Sequence, residues 1–235
     1  MAIVVTALGT AQNKVNGEYA QLNTLTWAVD DWIFVIFAGD GTTNTINLTS
    51  DGTNWFNSGF NDVEINNAGN VAVAIFRTKM TTAASGTGKV RGGNFMVAKA
   101  LAVYKVTGLA DTPFDKSSAG EGTSTTPSSG QTATLAQADE LLIGGIGTEG
   151  PDGDAAGTWD AGANQATDNG QRLGTTGGGA ASNITVASAT KIVSATTGGI
   201  ASKTGITSRD WAAAIATYKA AGGVIESLAG VSAGV

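Results

Sequence analysis

The chain of 235 residues has no cysteine and no histidine. Without cysteine there is no disulfide framework. Without histidine there is no His-based catalytic triad, no imidazole general base and no ordinary zinc site, which removes most hydrolase mechanisms. Charge is sparse at 14% of residues, and 13 basic against 19 acidic side chains leave a net charge of −6. The basic residues do not cluster; Arg77, Lys79, Lys89 and Arg91 come nearest to doing so. Direct nucleic-acid binding is therefore not expected. No apolar run approaches the 18 residues of a membrane-spanning helix, so no membrane partner is expected either. The segment Met1–Thr10 lacks a basic leader, and its apolar part is too short for a signal peptide. The expectation is a protein made in the cytoplasm of its host. Proline is scarce at 3, whereas glycine reaches 34 without a triplet period, which excludes collagen. With 42% apolar residues the chain is globular and rich in turns.

The densest apolar run is Trp32-Ile-Phe-Val-Ile-Phe-Ala38, closed by Gly39-Asp40-Gly41. Its β-branched and aromatic residues predict a strand. Trp32, Phe34, Ile36 and Ala38 share one face, and Ile33, Val35 and Phe37 the other. Both faces are apolar, so one requires a core and the other a second layer, an arm or a neighbouring subunit. Tyr19–Trp27 leads into this strand. Further strands are expected at Ala2–Leu8 (or an arm there), Thr42–Thr49, Asn61–Asn66, Asn70–Met80, Phe95–Leu109, Glu140–Ile146, Ile184–Val193 and Trp211–Tyr218. The last is Ala-rich and reads as strand because Ile, Thr and Tyr sit in it. Ser85–Gly88 reads as a loop, Gly120–Gly130 as a loop or short linker, and Asn164–Ala181 as mostly turns.

These patterns predict an all-β chain: an antiparallel β-sandwich of jelly-roll type with extended termini. The organisation expected is an N-terminal arm and first strand over 1–26, a sandwich over 27–220 and a tail over 221–235. Trp32, Phe34, Ile36, Tyr104 and Leu142 are expected in the core. The halves echo one another. Asp30-Asp31 opens one apolar strand and Asp139-Glu140 another, while Tyr104-Lys105 and Tyr218-Lys219 close one half each. Two readings stand, a two-fold Greek-key plan and coincidence among Gly- and Ala-rich strands.

Candidate sites are few. Asp62 and Glu64 stand at i and i+2, the spacing of paired carboxylates on one strand face, but the plain reading is a solvated edge. Asp152 and Asp154, with Asp160 beyond them, offer carboxylates to a Ca²⁺ loop, yet no bidentate Glu closes it; the plain reading is an Asp-Gly turn and no metal is expected. Gly144-Gly145-Ile146-Gly147 lacks the Lys-Ser/Thr of a phosphate loop, and neither Ser117 nor Ser128 has a base. No catalysis and no cofactor are expected. Trp55 and Trp159 border polar loops, where aromatic rings stack on sugars or anchor interfaces; core packing is the plainer account. Ile3, Val4, Val5 and Leu8 form an apolar N-terminal segment suited to strand addition.

The stretches Asp31–Gly41, Ala100–Gly108, Gly122–Pro127, Ala138–Ile143 and Trp211–Ala216, in this order, resemble the concanavalin A-like jelly-roll domains of phage and bacterial surface proteins. The resemblance covers about residues 27–220, and the acidic triad of the glucanase members is missing. It implies a display or binding domain, similar to virion components such as phage head-decoration proteins. The function expected is a non-enzymatic virion protein that decorates or cements an assembled capsid, with capsid protein or further copies of itself, a trimer among them, as partners. The alternative is a carbohydrate-binding display domain that uses Trp55 and Trp159 on a glycan.

Overall fold

A computed structural model describes residues 2–40, 60–67, 70–93 and 96–222. The expected strand Thr42–Thr49, Trp55 and the tail beyond residue 222 lie outside the described residues. Fourteen strands follow in order among those described: β1 (Val4–Asn13), β2 (Ala20–Trp27), β3 (Trp32–Gly39), β4 (Phe60–Asn67), β5 (Val71–Lys79), β6 (Ala84–Gly92), β7 (Lys99–Thr107), β8 (Leu109–Ser124), β9 (Glu140–Glu149), β10 (Thr158–Trp159), β11 (Thr167–Gly174), β12 (Ile184–Val193), β13 (Lys203–Thr204) and β14 (Arg209–Ala220). Among the described residues, helical structure is limited to two 3₁₀ turns, at Asp152–Ala155 and Ala180–Ser182.

The strands form an antiparallel β-sandwich. One five-stranded sheet has the order β1-β7-β3-β5-β4, the other β11-β12-β9-β14-β8. Residues up to Thr107 build the first sheet and residues from Leu109 the second, joined through Gly108, whose φ of 79° suits glycine. Replacing β1, β3, β4, β5 and β7 by β8, β9, β11, β12 and β14 converts one strand order into the other. The echo between the halves is therefore also one of topology. When the sheets stack, β3 faces β9, β7 faces β12, β5 faces β14, β1 faces β11 and β4 faces β8. Each such contact has its counterpart under a two-fold exchange of the halves.

Three apolar layers result. Between the sheets lie Trp32, Phe34, Ile36, Tyr104, Leu141, Ile143 and Tyr218. On the far side of the first sheet, Ile33, Val35 and Phe37 pack under the β2–β6 pair with Trp27, Leu25 and Val90. Across the second sheet, Leu142, Ile146, Ala213 and Ile215 lie beneath Leu135, Trp159, Ala201 and Ile206. The central strand thus has both faces covered from within the chain. All five residues expected in the core are buried.

The two inner faces interlock locally. Both carry large side chains, Trp32, Phe34, Ile36 and Tyr104 from the first sheet and Leu141, Ile143, Ile184 and Tyr218 from the second, but β9 meets β3 and β5 with Gly145 and Gly147. A Cβ on Gly145 would sit 2.4 Å from Ile36 Cγ2, and one on Gly147 2.6 Å from Val73 Cγ2. The glycine run at 144–147 is thus a strand hollowed to receive β3 and β5.

Several boundaries depart from the sequence expectations. Of the segment Ala2–Leu8, the part from Val4 onward belongs to β1, which continues to Asn13 and pairs with β7 as the edge of the first sheet. The loop expected at Ser85–Gly88 lies within β6. The segment Asn164–Ala181 contains β11. The predicted loop at 120–130 begins inside β8, which runs from Leu109 through Pro113 to Ser124. Proline is tolerated because β8 is an edge strand. Gly120 and Gly122 are required there because Ser128 O and the Trp211 ring pack where their Cβ atoms would be.

Candidate functional sites

Asp62 sits where the β4–β5 register slips between Asn61 and Val63. This bulge turns its carboxylate into the gap between the sheets, where the side chain is only 4% exposed. Arg77 Nε donates to both oxygens, at 3.0 and 2.8 Å, and Tyr218 OH donates at 2.9 Å. The Arg77 guanidinium also lies 5.3 Å from the centre of the Trp32 ring. Burial pushes the Asp62 carboxyl above its ordinary range, against Arg77 and Tyr218. Burial and the neighbouring Asp62 hold the Tyr218 phenol well above its own. Glu64 does not join this cluster; it accepts from Asn61 Nδ2 at 2.7 Å. The expected shared face of Asp62 and Glu64 is lost to the bulge, and the two carboxylates do not converge.

Tyr104, which echoes Tyr218 in the first half, makes the matching tie. Ser188 Oγ donates to Gln171 O at 3.1 Å, so the Tyr104 hydroxyl is the donor in its 2.6 Å bond to Ser188. Gln171 Nε2 in turn donates to Val103 O. Gln171 lies in the β11 bulge, as Asp62 lies in the β4 bulge. Each half thus sends one buried tyrosine across the core, Tyr218 to the edge strand β4 and Tyr104 to β12 beside the edge strand β11.

The three aspartates of the candidate Ca²⁺ loop are dispersed. Asp152 takes a two-pronged bond from Arg172. Asp154 accepts from Arg209 Nε at 2.9 Å. Asp160 accepts the hydroxyls of Ser202 and Thr204. Among the described residues no group of three acidic or other ligating side chains converges on one point. Trp159 is buried at 9% exposure under the third apolar layer, with Lys203 Nζ 5.5 Å from its ring centre. It is a core residue and offers no open ring to a sugar. Ile3 is buried, Val5 and Leu8 are partly buried against the core, and Val4 is 54% exposed. Ser117 and Ser128 lie along β8 and the segment after it, where Ser128 bridges to Ser202.

Two features had no signal in the sequence. A cleft of about 330 Å³ is lined by Gln12, Asn13, Glu18, Tyr19 and Gln21, with the Arg91 guanidinium 4.5 Å from the Tyr19 ring centre. Glu140, read only as the opening of a strand, is a fully buried carboxyl next to Asp115. Neither depends on a motif: the cleft forms within residues 12–21 where β1 turns into β2, and the Glu140–Asp115 contact joins strands far apart in the chain. Comparison with protein families, curated proteins and solved structures finds no match.

Proposed function

We propose that the chain is a non-enzymatic structural protein of a virion, one that attaches to an assembled capsid shell as a decoration or cement protein. The observation that carries this reading is the use made of the polar residues. Asp62, Asp152, Asp154 and Asp160 are each bonded to a cation or hydroxyl of the same chain, and they tie strands together instead of lining a cleft. Such a body is built for rigidity. Its charge is also one-sided. Residues 1–107 carry seven basic and seven acidic side chains, whereas residues 108–235 carry six and twelve. One half is neutral and suited to contact; the other is acidic and suited to facing water. The nested pairing of β1 with β7 and β2 with β6 supports a jelly-roll wrap, one per half. A trimer is one of the assembly states that the experiment reads.

The test is sedimentation of the purified protein with assembled shells and, separately, with unassembled shell subunits. Binding to shells alone is expected, and its stoichiometry gives the assembly state. Because β1 is part of the sheet, the sound perturbation is a surface one, Val4→Arg, and not removal of residues 1–8. Absence from purified particles, together with no binding to shells, would overturn the reading. The carbohydrate-binding alternative loses Trp159, which is buried, and retains Trp55 together with the Tyr19 cleft; glycan binding lost in Trp55→Ala or Tyr19→Ala would favour it.

A further inference from the structure

Glu140 opens β9 and points to the outer side of the second sheet, as do Leu142 and Ile146 after it. Its side chain is fully buried, and neither oxygen has a donor in hydrogen-bonding geometry. Asp115, on β8, stands beside it with a side chain 6% exposed. Two buried carboxylates in contact are both acceptors and repel; one proton between them turns the contact into a hydrogen bond.

The surroundings say which group holds it. Asp115 accepts from Ala136 N at 2.8 Å and from Lys116 Nζ at 3.0 Å. Burial works to raise its carboxyl, but these donors and Glu140 together keep it below its ordinary range. Glu140 has no cation. Thr217, whose Oγ1 accepts from Lys116 N, lies near Glu140 without reaching hydrogen-bonding geometry. Burial pushes the Glu140 carboxyl from its ordinary 4.5 up to about 7, and the charge of Asp115 adds to this against Thr217 and Gln137 N–H. The charged groups around the pair are Asp115 and Lys116 from β8, Lys219 from β14, Asp139 from the turn and Lys191 from β12. Lys219 is in register with Glu140 but makes no ion pair with it, and Lys191 Nζ is bonded to Gly162 O.

We propose that Glu140 and Asp115 share a single proton and form a pH-sensitive latch, which holds the 136–139 turn against β8 and β14 and releases it when the proton leaves. With the proton lost, two negative charges face each other without water. Glu140 is relieved by swinging toward solvent and Lys219, and that requires the turn to lift.

The sign follows from linkage. Glu140 is a weaker acid folded than unfolded, so its contribution to stability is fully present below about pH 4.5 and is lost as the pH rises through about 7. The chain has no histidine or cysteine, so no side chain of ordinary acidity titrates between about pH 5 and 8. Asp40, Asp62 and Glu149 are also raised by burial, and the experiment therefore compares variants.

The experiment is thermal unfolding of the full chain at about pH 5.5 and about pH 8.5, with ¹³C titration of the Glu140 carboxyl. The wild type is expected to melt lower at the higher pH, and Glu140→Gln to lose much of that difference. Asp115→Asn is expected to move the Glu140 midpoint down toward 4.5. Between about pH 4.5 and about 7 the open fraction of the turn, read from the amide-exchange protection factor at Gln137, rises about tenfold per pH unit, and it levels off above that range. A Glu140 midpoint in the ordinary carboxylate range in the wild type would overturn the latch, and that measurement needs no variant to fold. So would a Glu140→Gln protein that keeps the full pH difference.

Discussion

At the scale of single residues, the buried polar groups set the largest energies. Arg77 is the one cation in contact with Asp62, whose side chain is out of water. Arg77→Met would leave that carboxylate without a counter-charge, and a loss of about 3–5 kcal/mol is expected from urea unfolding. Tyr218→Phe removes one donor and leaves the ion pair; the expected loss is about 1–3 kcal/mol. Equal losses from the two variants would mean that Arg77 does not carry the balance. Phe34 sits in the same layer, its ring centre 4.7 Å from that of Tyr218, and Phe34→Ala should cost about 3–5 kcal/mol. The apolar residues here were legible in the sequence: alternation placed Trp32, Phe34 and Ile36 on one buried face. Asp62 was not. A one-residue bulge reverses a side chain's direction and leaves no mark on composition or spacing. Glu140 was hidden for a related reason, since its partner Asp115 lies in a strand with no apolar pattern of its own.

At the scale of elements, the strands visible in the sequence are those buried on both faces. β3, β5, β12 and β14 carry runs of Val, Ile, Ala and aromatic residues, and their buried patterns are nearly unbroken. β6, β8 and β11 are rich in Gly, Ser, Thr and charged residues, and the sequence reads them as loops or turns. β8 and β11 are sheet edges, and β6 belongs to the outer β2–β6 layer; in β8 exposed and half-buried positions alternate. Such strands are specified by the neighbour they pair with and not by their own propensity. β9 shows the converse, where a glycine run that looks unstructured is fully buried. Its purpose gives a test. Gly145→Val would drive a side chain into Ile36, so the sheets must separate or Ile36 must leave its rotamer. A loss of about 1–3 kcal/mol or more is expected in thermal or chemical unfolding. The double variant Gly145→Val with Ile36→Ala should recover part of it, because the volume is then exchanged across the layer. Failure of the second change to help would mean that the backbone, and not Ile36, sets the spacing.

At the scale of the whole molecule, topology and packing pull in different directions. The strand orders of the halves are interchangeable, and each half sends a buried tyrosine to the other sheet, Tyr218 to β4 and Tyr104 to β12. Topology alone would let two copies of one half replace the pair. Side-chain volume disfavours it at one place. Ile36 and Val73 of the first half fill the space over Gly145 and Gly147 of the second. Two first halves would set β3 against a second β3 with no glycine to receive it, and two second halves would set glycine against glycine there; each mismatch disfavours self-association. Cutting the chain at Gly108, outside every strand, separates the two sheets without breaking a ladder. Residues 1–107 made alone should then expose the apolar inner face of the first sheet and aggregate. Made together with residues 108–235, they should elute from size exclusion as a one-to-one pair with a single cooperative melt. A stable homodimer of residues 1–107 that melts like the full chain would show that the two-fold topology, and not the large-to-small fit, governs how the sheets recognise each other.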